Sequence, residues 1–140
     1  MGRTRKVEIF NAVVVSILMY GLASAWLLKS DQRKLDGFQC RCLRTIWGIL
    51  PSFISRVSNE KILKMTMQTR LTAILQKQQL TLYGKVARLP VGHPVRESTF
   101  VGGSLRPAVD MFTRRIGRPR FEWAPEVARM AARMKDLPTA

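Results

Sequence analysis

Cys40 and Cys42 are the only cysteines in the chain, and His93 is its only histidine. Two residues apart on a helix, the thiols point well away from each other, so a disulfide between them is not expected, and unpaired thiols fit a reducing compartment. One histidine and two thiols, with no carboxylate cluster beside them, do not supply the four ligands of a protein zinc site. Asp31, Asp36, Asp110 and Asp136 are scattered over different segments, so they offer no convergent carboxylates for two-metal chemistry. No cofactor is implied and no enzyme is expected.

The chemistry that remains is that of the bases. Twenty-four Lys and Arg stand against nine Asp and Glu, a formal charge of +15 over 140 residues. Such a surface repels itself unless an anionic partner, usually a phosphate backbone or an anionic membrane, neutralises it. Between Glu60 and Glu97 there is no acid at all, while Lys61, Lys64, Arg70, Lys77, Lys85, Arg88 and Arg96 fall in that span. The pattern points to a phosphate backbone as partner, whether DNA, RNA or their hybrid.

Helices must position these bases. Ser30 as N-cap and Asp31 in the first turn open a helix that runs to Trp47, with Gly48 and Pro51 ending it. Leu35, Phe38, Cys42, Ile46 and Ile49 make its apolar stripe, with Cys40 beside it, and Arg33, Lys34, Arg41 and Arg44 lie opposite. Ser58 caps a short helix, NEKILKMT, without the Glu of a capping box. Thr69 opens a longer one that Pro90 stops. On it Leu71, Leu75, Leu82, Val86 and Leu89 share one face, and Arg70, Lys77, Thr81, Lys85 and Arg88 share another about 100° away. A solvated face normally mixes signs; this one does not.

Ile9 to Leu28, IFNAVVVSILMYGLASAWLL, is uncharged and long enough to cross a bilayer, with bases at both ends. Hydropathy leaves two readings open, a membrane span or a central helix buried on all sides by the others. From Val91 to Ile116 no periodicity survives, which predicts a loop or linker. A last helix starts near Ala124, with Val127, Met130, Ala131 and Met134 as its stripe and Pro125 in its first turn. The expectation is all-α: about five helices, a central apolar first helix packed by amphipathic basic ones, divided as 1–90, a linker over 91–116, and 117–140. Just before the last helix, Gly117-Arg118-Pro119-Arg120 follows Arg114 and Arg115. A Gly-Arg-Pro-Arg stretch can send arginines into a narrow minor groove or lie along phosphates as the entry to a helix.

FNAVVVSILMYGLASAW, RKLDGFQCRCLRTIWGI, RVSNEKIL, LYGKVARLP and GRPRFEW, taken in order from about Val7 to Trp123, resemble the segment that follows the polymerase core in reverse transcriptases of non-LTR (LINE-type) retrotransposons. The chain departs from that pattern in several places. LASAW lacks the acid and Thr that usually precede the Trp and is one residue longer. Gly84-Lys85 stands where a Gly-His pair is common, and Leu82 where a Trp is. No Tyr-x-Asp-Asp stretch and no palm or fingers are present. The resemblance implies a buried first helix in a soluble fragment without polymerase activity, placed beside template and primer, with a polymerase core or other subunits as protein partners. The bases expected at nucleic acid are Arg33, Lys34, Arg41, Arg44, Arg70, Lys77, Lys85, Arg88, Arg114, Arg115, Arg118 and Arg120. A nuclear or cytoplasmic location is expected on that basis. The alternative is a structural or accessory subunit of a larger assembly, single-pass through residues 9–28 and membrane or organellar in location.

Overall fold

A helix whose inward residues recur every four positions drifts by about 40° per turn if it stays α-helical. Val7, Asn11, Val15 and Met19 follow that repeat, and the computed structural model accommodates it with a wider turn. Helix α1 (Arg3–Ile9) passes into a π-helical segment (Phe10–Val15) and then into α2 (Ser16–Met19), so the wider π turn cancels the drift and keeps one side of the segment inward. The structure describes residues 1–108, 117 and 122–135. It is all-α with an apolar N-terminal helix. Among the described residues there is no strand, only an isolated antiparallel bridge between Phe100 and Pro107. The chain divides into two compact units, residues 1–22 with 27–76 and residues 23–26 with 77–140.

In the first unit, α3 (Lys29–Trp47) has Leu28 as N-cap, earlier than the Ser30 that its residue type predicts. Gly48 ends it in the left-handed conformation, φ 68°, with Ile49 N–H donating to Arg44 O at 2.9 Å, a Schellman closure. Its buried residues are Leu35, Gln39, Cys40, Leu43 and Arg44. These lie about one residue, roughly 100°, from the centre of the predicted stripe, whose Phe38, Cys42, Ile46 and Ile49 are half-buried against the same core. Cys40 is in the core and Cys42 beside it, the reverse of the expectation. The cause is polar: Gln39 and Arg44 are buried because they are hydrogen-bonded, which apolar spacing cannot reveal.

Two short helices come next, α4 (Ser52–Ser55) and α5 (Asn59–Met65), the second capped as predicted by Ser58 Oγ accepting from Lys61 N–H. Helix α6 (Leu71–Ala87) starts two residues after Thr69 and is capped from α3 instead. Gln39 Oε1 accepts from Leu71 N–H at 3.1 Å and Asp36 from Thr72 N–H at 3.1 Å, while Gln39 Nε2 donates to Thr69 O at 2.8 Å. These bonds satisfy the orphan donors of a helix start. Val7, Phe10, Cys40, Leu43, Ile62 and Leu63 form one core cluster, and Met19, Leu35, Leu71 and Leu75 another.

The first helix is not buried on all sides. Val7, Phe10 and Met19 are buried and Asn11 Nδ2 donates to Gln68 Oε1 at 2.9 Å, but Ile9, Val13, Ile17 and Tyr20 are exposed. An unbroken apolar run has no polar stripe to mark its outer side, so the sequence suggests burial all round where only one side is covered.

In the second unit, residues 109–116 of the expected linker lie outside the described residues, and its residues 91–108 are not a plain loop, because α7 (Pro94–Thr99) lies within them. His93 Nδ1 accepts from Val95 N–H at its start. Arg96 is buried; it donates to the carbonyls of Ala87, Leu89 and Gly103, tying the end of α6 to α7 and to the turn after it. Tyr83 meets Phe100 edge-on at 5.5 Å and Trp123 at 6.4 Å, and α8 (Trp123–Lys135) buries Val127 completely.

Candidate nucleic-acid interface

On α6 the residues after Gln76 turn one side inward, with Gln79 and Val86 buried and Gln79 donating to Ala25 O at 2.7 Å. Lys77, Thr81 and Lys85, four residues apart, and Arg88 just past the helix end are exposed. Among the described residues no ion pair involves Lys77, Lys85 or Arg88. Thr81 Oγ1 donates back to Lys77 O at 2.8 Å, which holds its side chain close to the helix between the two lysines. From Lys77 to Arg88 the row spans about 16 Å at 1.5 Å per residue.

The other predicted bases have different fates. Arg70 belongs to the first unit and pairs with Glu60 at 3.0 Å, so it does not extend the row as a free cation. On α3, Arg33 and Arg41 are exposed and without an ion pair among the described residues. Lys34 pairs with Asp31 at 3.0 Å in an open i,i+3 contact, an arrangement typically worth little. Arg44 is no surface base at all, being only 6 % exposed. Its guanidinium donates to Leu50 O at 3.1 Å, Val57 O at 2.6 Å, Asn59 Oδ1 at 3.0 Å and Ser55 Oγ at 3.4 Å. The planar fork satisfies loop acceptors around α4, and that work removes it from any interface. Arg114, Arg115, Arg118 and Arg120 lie outside the described residues; of the Gly-Arg-Pro-Arg stretch only Gly117 is described, and it is exposed.

Among the bases that sequence reading leaves out of the site are Lys61 and Lys64 on α5, both exposed. Their place in the acid-free span is the signal that could have included them. Burial pushes both the Cys40 and Cys42 thiols up from the ordinary value, and the Asp36 carboxylate adds to the effect at Cys40, so the neutral thiol is favoured at both. Among the described residues no group of three or more His, Cys, Asp or Glu is placed to hold a metal ion.

Compared with protein-family models, curated proteins and solved structures, the chain matches none.

Proposed function

We propose that the chain is a non-catalytic, basic nucleic-acid-binding fragment, derived from the C-terminal region of a non-LTR retrotransposon reverse transcriptase. The observation that carries the binding is the row of Lys77, Lys85 and Arg88, exposed, of one sign and free of carboxylate partners among the described residues. Like-charged side chains held along one helix repel each other in water, and a strand of phosphates relieves that repulsion while releasing its own counterions. In this reading Lys77, Lys85 and Arg88 meet phosphates, contacts that position the chain on a backbone and leave sequence unread. The origin of the fragment rests on the five ordered sequence stretches alone.

Fluorescence anisotropy with two duplexes of unrelated sequence, titrated over a salt series, tests the reading. Equal affinities are expected, with log affinity falling against log salt at a slope of about −3 or steeper, because each phosphate contact on B-DNA contributes about −0.9. Absence of binding at low salt, or a salt-independent affinity, would overturn it. The exposed apolar side of the N-terminal helix favours a second reading, an accessory subunit of a larger assembly. The two are compatible, since the apolar and basic faces are on different helices.

A further inference from the structure

Ile9, Val13 and Ile17 are 46 %, 52 % and 73 % exposed. They stand four residues apart, so the π turn that aligns Val7, Asn11, Val15 and Met19 inward also aligns these three outward. The result is a straight aliphatic ridge about 12 Å long. Val14 and Tyr20 are exposed as well, and Ala12 and Ser16 border the ridge with small side chains. Arg5 stands one step before Ile9 on the same repeat, and both it and the neighbouring Lys6 are exposed without an ion pair among the described residues. Glu8 is the sole acid of the first thirty residues.

A row of large aliphatic side chains in water marks a surface that something covers. A second copy of the chain would bring another +15 charge to the contact, which opposes association. Phosphates of a nucleic acid would meet Arg5 and Lys6 but leave the aliphatic atoms in water. An anionic bilayer surface satisfies both halves, its head groups facing the cations and its acyl boundary receiving Ile9, Val13 and Ile17, and a fluid surface needs no complementary shape.

We propose that this ridge docks in the plane of an anionic phospholipid surface. The segment is long and apolar enough to cross a membrane. Yet Val7, Phe10 and Met19 are embedded in the cores of the first unit and Asn11 is bonded to Gln68, so the segment lies along the lipid with its other side still on the protein.

The test is co-sedimentation of the full chain with vesicles of phosphatidylcholine alone and of phosphatidylcholine with roughly a third phosphatidylserine. Binding to the anionic vesicles and not to the neutral ones is expected. Ile9→Gln, Val13→Gln and Ile17→Gln together replace only exposed side chains and keep helix propensity, so circular dichroism should be unchanged. Vesicle affinity should nevertheless fall by about a hundredfold, at about fivefold for each partly exposed aliphatic side chain withdrawn from lipid. Arg5→Gln with Lys6→Gln should lower the preference for anionic vesicles by about fivefold per charge. The proposal is overturned if the parent ignores anionic vesicles, or if the triple variant binds them as the parent does, since that leaves only general cation attraction. It is equally overturned if analytical ultracentrifugation finds a parent dimer that the triple variant loses, because the ridge is then a protein interface.

Discussion

On α3, Arg44 is buried and spends its guanidinium on Leu50 O, Val57 O, Asn59 Oδ1 and Ser55 Oγ, whereas on α6 Lys77 and Lys85 extend into solvent with no carboxylate beside them among the described residues. As sequence the two rows look alike: bases at helical spacing opposite an apolar stripe. The loop that covers one of them separates the two. After α3 the chain turns through Gly48, Pro51 and the short α4, and that loop presents carbonyl groups that need donors. A long planar side chain at position 44 meets the need, and burial results from the bonding. Among the described residues no such loop takes up Lys77 or Lys85 of α6, and both stay exposed. The second unit repeats the Arg44 device with Arg96, which serves the carbonyls of Ala87, Leu89 and Gly103. A buried arginine in this protein thus marks a helix end that must be fastened, which leaves only the remaining bases for the proposed binding surface.

The largest expected effect breaks that comparison on the α3 side. Arg44→Gln should cost about 3 kcal/mol of stability in chemical denaturation, because several buried acceptors lose a charged donor at once. Arg44→Lys keeps the charge without the fork and should recover only part of that loss. Arg41→Gln, on the same helix but exposed, should change stability by less than about 0.5 kcal/mol. Next in size is the start of α6: Asp36→Ala removes the acceptor of Thr72 N–H and of the Thr72 hydroxyl and should cost about 1 to 2 kcal/mol by the same measurement.

These residues also show where sequence stops being legible. The α3, α5, α6 and α8 segments follow from apolar spacing, and Ser58 and Gly48 act as the cap and stop their types suggest. Asp36 and Gln39 look like scattered polar residues, and their capping of a helix more than thirty positions away depends on tertiary packing that spacing does not encode. The buried face of α3 is wider than its apolar stripe for the same reason, since polar residues that are hydrogen-bonded count as surface in an apolar tally. The run from Ile9 to Leu28 fails in the opposite sense, being apolar on the side that packs and on the side that does not. At the proposed interface, Lys77, Lys85 and Arg88 are readable because an exposed residue needs nothing else to be free, while Arg44 is taken up by buried acceptors and Arg70 by an open pairing with Glu60.

A smaller effect concerns pH. Burial raises both thiols, so the folded chain favours their neutral forms. Their contribution is constant below the ordinary value of 9.0 and is lost as the pH climbs through the raised folded value, because the unfolded chain ionises first. Thermal melts should therefore show stability declining above that pH, and replacing Cys40 and Cys42 by Ala should reduce the decline. The smallest effect should come from Lys34→Gln. Its pairing with Asp31 is open to solvent, so stability should not move measurably in chemical denaturation.

The free row on α6 is tested most directly by the salt dependence of duplex binding in a variant carrying Lys77→Gln, Lys85→Gln and Arg88→Gln. Only exposed charges are removed and helix propensity is kept, so the fold should survive. The slope of log affinity against log salt should flatten by roughly 2 to 3 units if two or three of these side chains touch phosphate, and equally for unrelated duplex sequences. An unchanged slope and affinity would mean that Lys77, Lys85 and Arg88 form a merely solvated face, contradicting the nucleic-acid reading of this helix.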